Sequence, residues 1–292
     1  MSNSDLTLID PKTKKEVLKI YSSTDAKTFR KLQRLEFFSL IWLKKGNGKL
    51  KVDFNEYMFE NNMLFSFSPY QPFIIEATEI DAQVIHFHTD FFCIHKHQKE
   101  VSCDGVLFNN IYKAPMINVN TETGIKLNMF IEQMLNEMIQ PQLAQYELLI
   151  SYLKLLLITA SRLKQEQEKE LERLSSQTKE PFVLKKVKDY IDEHYKTNHS
   201  PSDYADMLAI SPKALGKLTK KHFNKTLTDL ISERIIIEAK RELYLTNKSV
   251  KEIAYSLGYN DEYYFSRFFK KKASVSPQIF RRNVGLTGTT LA

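Results

Sequence analysis

The last third of the chain repeats itself, and that repeat limits the possible folds more than any other feature. Ala205, Leu208 and Ile210 return as Ala254, Leu257 and Tyr259 at a shift of 49. Leu215, Lys217, Leu218, Lys220 and Lys221 return as Phe265, Arg267, Phe268, Lys270 and Lys271 at a shift of 50. Apolar and basic positions repeat together, and the one-residue slip falls where a turn absorbs it. Local signals frame each copy. Ser200-Pro201 and Ser211-Pro212 each put a capping hydroxyl ahead of a proline in the first helical turn. Ser249-x-x-Glu252 is a capping box, and Gly258 sits where a C-cap glycine belongs. Asp261 opens DEYYFSRFFKKK, and Ser276-Pro277 opens a last short helix. Leu227–Leu245 reads as a long helix with Leu230, Ile231, Ile235, Ala239 and Leu243 as its spine. Phe182–Tyr195 carries an apolar stripe at helical spacing. Two short helices joined by three or four residues make a helix-turn-helix. The expectation is an all-α domain of two such units joined by a long helix.

Charge follows the same division. The 292 residues hold 42 Lys+Arg and 35 Asp+Glu, a net of +7. Residues 1–180 hold 22 and 23, a net of −1, and residues 181–292 hold 20 and 12, a net of +8. All of the positive excess therefore lies in the last third, which points to an anionic partner, nucleic acid before membrane surface. Two cysteines, Cys93 and Cys103, exclude a disulfide scaffold and suit a reducing compartment. The N-terminal stretch has no apolar core, so a signal peptide is not expected. Leu148–Ala160 carries Ser151 and Lys154 and is too short to span a bilayer. The expectation is a soluble, cytoplasmic, two-domain protein with no membrane partner. Leu163–Glu180 is almost all polar; its first part favours helix and SSQTKEP breaks it, giving a charged helix end and a linker.

The N-terminal part reads as strands followed by helices, an α+β arrangement. From about Phe37 to Val119 the chain is rich in β-branched and aromatic residues cut by turn signals, which favours a β-barrel or sandwich. FFSLIWLKK, Gly46-Asn47-Gly48 and KLKVDFNEYMF resemble a hairpin. Lys49, Lys51 and Asp53 alternate with Leu50, Val52 and Phe54, the period of a half-buried strand. Ile125, Phe130, Met134, Leu135 and Met138 suit a helix ending near Pro141. A second helix, about Gln142–Arg162, is apolar almost all round, so it is either buried against its own sheet or part of a subunit interface.

IAYSLGYNDEYYFSRFFKKKASVSPQIFRR resembles the signature segment of the AraC-type (AraC/XylS) transcription regulators. The resemblance rests on Ile253, Ala254, Gly258, Tyr263 or Tyr264, Phe265, Arg267, Phe269, Lys270, Pro277 and Arg281. It covers about Val183–Arg282 and is looser before that. It implies a cupin-like β-barrel with dimerisation helices at 1–164, a linker at 165–180, a double helix-turn-helix DNA-binding domain at 181–285 and a tail at 286–292. It also implies a sequence-specific DNA-binding regulator, a homodimer, a small-molecule effector of the N-terminal domain, and RNA polymerase as a further partner. Carried onto this sequence, the base-contacting positions are Lys213, Gly216 and Lys217 on the first recognition helix. On the second they are Glu262, Tyr263, Ser266 and Arg267. Ser211, Lys220, Lys221, Ser249, Lys270 and Lys271 fall to phosphate. Leu208, Leu215, Leu257, Phe265 and Phe268 are assigned to the core. Two positions depart from the family pattern: Gly216 has no side chain to read a base, and Thr219 stands where an aromatic is usual.

The rival from another class is a cupin-type metal-dependent enzyme fused to a DNA-binding domain. His86-Phe87-His88 offers an HxH pair, but no Glu follows at a suitable distance, and His95-Lys96-His97 lies in a polar segment. Neither pair has the spacing of a closed zinc module. No phosphate loop, nucleophile elbow or zinc-protease motif is present in the sequence. The expectation is no catalytic residues, no metal and no cofactor. A third reading, a basic face for acidic proteins, predicts binding without DNA sequence preference.

Overall fold

The structure, a computed structural model, describes residues 5–52, 55–101, 105–175 and 182–284. Asp53, Phe54, Cys103, the 176–180 part of the expected linker and the expected tail at 286–292 lie outside the described residues. The chain divides into two compact units. One runs to Asn110 and resumes from Ala114 to Glu170; the other comprises Ile111–Lys113 and the chain from Leu171 onward.

The first unit is a β-sheet domain with helices. Its strands are β1 (Leu6–Ile9), β2 (Glu16–Ser23), β3 (Phe38–Lys45), β4 (Gly48–Val52), β5 (Asn55–Phe59), β6 (Met63–Phe67), β7 (Phe73–Ala77), β8 (Asp81–Phe87) and β9 (Met116–Asn118). They form two antiparallel sheets, ordered β1-β2-β8-β3-β6-β9 and β5-β4-β7. After β8 come α1 (Gln98–Val101), α2 (Thr121–Ile139) and α3 (Gln145–Ser175).

The period of two along each strand explains the layers. Ile41, Leu43, Phe65, Phe67, Ala82 and Val84 face the small sheet and pack with its Leu50, Val52, Phe73 and Ile75. Their neighbours Leu40, Trp42, Leu64, Ile85 and Phe87 point the other way. That second face packs with Leu127, Phe130, Ile131 and Met134 of α2 and with Leu149, Leu153, Leu156, Leu157 and Ala160 of α3. The large sheet is thus buried on both faces, which is why its strands read as nearly continuous apolar runs. Each fully buried Leu or Phe contributes roughly 1.5–3 kcal/mol. The apolar face of α3 is covered by its own sheet, and the helix continues through Ser175 along the polar stretch.

One expectation is overturned. β3 and β4 are not a hairpin: β3 pairs with β6 and β8, and β4 with β5 and β7. Gly46, at φ +136°, turns the chain out of one sheet and into the other. A Cβ at Gly48 would stand 1.9 Å from the Glu76 carbonyl of β7, so the close strand approach requires glycine. The tight hairpin lies one strand later, where Val52 of β4 pairs with Asn55 of β5.

The second unit is helical: α4 (Phe182–His194), α5 (Pro201–Met207), α6 (Pro212–Phe223), α7 (Leu227–Leu245), α8 (Val250–Ser256), α9 (Glu262–Ala273) and α10 (Pro277–Val284). α7 is the hub, in contact with α4 and α6 on one side of the repeat and with α8, α9 and α10 on the other.

Candidate nucleic-acid interface

The two halves of the helical unit share their caps as well as their pattern. At the start of α5, the Ser202 N–H donates to Ser200 Oγ at 3.3 Å, and Ser200 and Asp203 form a capping box. At the start of α8, Ser249 and Glu252 form the same box, with Glu252 N–H donating to Ser249 Oγ at 3.1 Å and Ser249 N–H to Glu252 Oε2 at 2.7 Å. α6 is capped by Ser211 Oγ, which accepts from Ala214 N–H at 3.2 Å, and α9 by Asp261 Oδ1, which accepts from Tyr264 N–H at 2.6 Å. Each such cap stabilises its helix by about 1 kcal/mol.

The turns match as well. Ala209 (φ 53°) and Gly258 (φ 81°) are both left-handed. After each, the next N–H reaches back five residues: Ile210 to the Ala205 carbonyl at 3.1 Å, Tyr259 to the Ala254 carbonyl at 3.0 Å. An alanine in that conformation costs roughly 1–2 kcal/mol, so the first turn is the more strained. At Gly258 an alanine would also collide, since its Cβ would stand 2.1 Å from the Lys196 carbonyl. α6 and α9 both end on left-handed residues, Asn224 and Ser274.

What faces outward from this frame is basic. Lys213, Lys217, Lys220 and Lys221 on α6 and Arg267, Lys270 and Lys271 on α9 are exposed. Among the described residues none of them forms an ion pair; Lys220 Nζ donates only to the Asn224 carbonyl, at 3.2 Å. Several other cations of the unit are paired: Lys225 with Glu233 at 2.6 Å, Arg234 with Asp192 at 2.9 Å, Lys248 with Glu242 at 2.9 Å and, in the last turn of α9, Lys272 with Asp229 at 3.2 Å. A repeated helix-turn-helix that leaves unpaired cations on both second helices is built to meet a polyanion.

Comparison with known proteins agrees. Residues 204–283 match the family model described as a helix-turn-helix domain. The HTH-type transcriptional activator Btr of Bacillus subtilis is 28% identical over 85% of this chain and 44% of its own length. The raffinose operon transcriptional regulatory protein RafR of Pediococcus pentosaceus is 33% identical over 33% of this chain and 35% of its own length. The arabinose operon regulatory protein of Salmonella typhimurium is 29% identical over 32% of this chain and 33% of its own length. Each of these matches spans less than half of the relative. Residues 204–283 belong to the AraC-type helix-turn-helix family.

The AraC-type unit brings the expected site residues onto two helices and their caps. Lys213 and Lys217 lie exposed on α6, and Gly216 is half-exposed between them, with nothing within 4 Å of where a Cβ would stand. Thr219 is fully buried, at the position where the second copy buries Phe269, and its hydroxyl donates to the Gly216 carbonyl at 3.2 Å. On α9, Tyr263 and Arg267 are exposed and Glu262 and Ser266 half-exposed. Ser211 is exposed with its oxygen engaged as a cap. Ser249 Oγ is likewise engaged as a cap, beside the Glu252 carboxylate, which is held below the usual range chiefly by the Ser249 backbone N–H.

Leu215, Leu257 and Phe265 are fully buried, as expected of core residues. Leu208 and Phe268 are only half-buried, a correction: each lies on the border of the packed face, where helical spacing alone does not separate core from rim. Tyr264 had no assigned contact, yet it is 58% exposed beside Tyr263 at 75%. Its spacing of three from Arg267, which puts both on one helical face, was the available signal. Arg281 of the signature is a clamp: it donates to the Leu243 carbonyl at 3.2 Å and the Lys248 carbonyl at 2.5 Å, tying α10 to the end of α7.

The histidines of the β-rich unit have other occupations. His86 is buried, with Nδ1 2.9 Å from Ser39 Oγ and Nε2 3.3 Å from Tyr21 OH, and burial pushes its pKa down to about 4. His88 Nδ1 lies 3.3 Å from Asp90 Oδ2, and His97 Nδ1 lies 2.9 Å from Glu100 Oε1. Among the described residues no group of three His, Cys, Asp or Glu is placed to hold a metal ion.

Proposed function

We propose that the protein is a sequence-specific DNA-binding transcription regulator with no catalytic step. The observation that carries this reading is the row of unpaired cations on α6 and α9 within one repeated frame. At ~1.5 Å per residue α7 spans roughly 28 Å, close to the ~34 Å between successive major grooves on one DNA face. One chain then lays α6 and α9 in adjacent grooves. Lys213, Gly216, Lys217, Glu262, Tyr263, Ser266 and Arg267 are the positions over base edges. Ser211, Lys220, Lys221, Ser249, Lys270 and Lys271 are those near phosphate. The relatives' names, a transcriptional activator and operon regulators, support the same activity.

The β-rich unit, residues 1–164, is assigned a regulatory role, with 165–180 as linker, 181–285 as the DNA-binding domain and 286–292 as tail. Closure of its two sheets into a cupin-like barrel belongs to this proposal, as does a small-molecule effector that shifts how the DNA-binding domains are presented. Ile125 and Met129 on α2 and Leu148 and Leu155 on α3 remain exposed after the sheet is covered, which supports a homodimer through these helices. RNA polymerase is a further partner in this reading, and the cytoplasm its place of action. Among the described residues no helix is long and apolar enough to cross a membrane.

A salt series with purified protein, a duplex selected from a random pool and a scrambled duplex tests the proposal. Both affinities are expected to fall as salt rises, with the selected duplex staying bound at least ~1000-fold more tightly. Equal affinity for the two duplexes at every salt would overturn it.

A further inference from the structure

We propose that the two recognition helices divide the work: α9 supplies base discrimination and α6 supplies electrostatic grip. This rests on the DNA-binding reading above and goes beyond it, because the repeat alone would make the helices equivalent readers.

The difference lies in what each outer face can donate and accept. Past its cap, α6 presents Lys213, Lys217, Lys220 and Lys221, with His222 in the last turn and Gly216 at the centre of the face. Its one internal hydroxyl, Thr219, is fully buried and bonded to its own helix. An ammonium is a compact charge on a flexible stem, suited to tracking phosphate. It can also donate to guanine O6 or N7, so α6 keeps at most a mild preference for guanine.

α9 carries a different set. Arg267 offers a planar fork that matches guanine O6 and N7, and Glu262 offers an acceptor for cytosine N4. Tyr263 and Ser266 add hydroxyls that donate or accept. Glu262 decides the matter. A carboxylate facing a polyanion weakens every complex except one in which a base donates to it, so it acts against wrong bases as well as for the right one. α6 has no such group on its outer face.

Selection of bound duplexes from a random pool, run with the full chain, is expected to return one compact block of base preference. The adjoining helical turn should be contacted yet nearly unselective. Lys217→Ala should weaken the selected and scrambled duplexes by the same factor. Arg267→Ala should weaken the selected duplex by about 5- to 150-fold and the scrambled duplex far less. Gly216→Asn, whose side chain enters open space, should add a second block of preference one turn away. Two blocks of equal strength in the unaltered protein, or a Lys217→Ala loss confined to the selected duplex, would overturn the division while leaving DNA binding intact. Absence of a new block with Gly216→Asn would show that the missing side chain is not the cause and would overturn it too. Enrichment of no sequence at all would bring down the sequence-specific reading itself.

Discussion

The paired lysines of the β-rich unit contrast with the row of unpaired cations on the two recognition helices of the helical unit. In the first, Lys19 lies 3.1 Å from Asp5, Lys49 2.9 Å from Glu56, Lys51 2.6 Å from Glu76, Lys126 2.6 Å from Glu122 and Lys154 2.5 Å from Glu100. In the second, Lys225, Arg234, Lys248 and Lys272 are paired in the same way, whereas Lys213, Lys217, Lys220 and Lys221 on α6 and Arg267, Lys270 and Lys271 on α9 form no ion pair among the described residues. Exposed pairs are each worth about 0–1 kcal/mol, so pairing does little for stability. It does cancel the field. Leaving a row of like charges uncancelled costs self-repulsion and gains nothing inside the fold, which makes an external anion the reason for it. The difference separates charge that finishes a surface from charge that waits for a ligand.

The strongest way to break that contrast is to remove the charges. Alanine at Lys217, Lys220, Lys221, Arg267, Lys270 and Lys271 together should lower affinity for a selected duplex at least ~1000-fold. It should also reduce the slope of log affinity against log salt by about 5. Alanine at Lys19, Lys49, Lys51, Lys126 and Lys154 should leave both within about threefold and twofold respectively, since those charges are already cancelled. Filter binding at several salt concentrations reads both sets.

Next in size is the frame that holds the charges. Gly258→Ala should destabilise the helical unit by about 3 kcal/mol or more, through a left-handed backbone and a backbone collision together. Ala209→Gly, at the matching turn, should stabilise or destabilise by no more than about 1 kcal/mol. Trp42 is the chain's single tryptophan and lies in the β-rich core, so its emission on denaturation should be unmoved by either change while far-UV ellipticity shifts with the first.

Acid should separate the units from the other side. His86 titrates near 4 when folded and near 6.5 in an unfolded chain. Between those values only the unfolded chain binds the proton, so stability is full above about 6.5 and falls as pH drops toward 4, by roughly 3 kcal/mol at most. Trp42-monitored unfolding should show this loss, and His86→Gln should flatten it. The smallest effect is on α6. Gly216→Ala should stabilise the helical unit by up to about 1 kcal/mol, since the site is open and helical. A thermal melt that drops instead would mean that the glycine is needed for packing.

The helical unit was the more legible in the sequence. Its caps at Ser200, Ser211, Ser249 and Asp261 and its turn at Gly258 are local bonds between near neighbours, and the repeat placed each of them twice. The β-rich unit was read only in outline. Gly46-Asn47-Gly48 announces a turn, but which strand β3 pairs with is settled by β6 and β8, far along the chain. The large sheet is buried on both faces, so its runs show no alternation that would reveal which side meets the helices. On α6 and α9 the positions of the cations were legible. Which of them would find a carboxylate was not, because pairing depends on residues brought in by α7, such as Asp229, which takes Lys272 and leaves Lys270 and Lys271 unpaired among the described residues.

In the proposed complex one chain touches DNA with two helices. Phosphate ethylation interference on a selected duplex tests this most directly. Each bound copy should give a pair of phosphate patches about one helical turn apart on one face. Alanine at Lys217, Lys220 and Lys221 should erase one member of the pair, and alanine at Arg267, Lys270 and Lys271 the other. Loss of the same patch in both variants, or a single patch per copy in the unaltered protein, would contradict it.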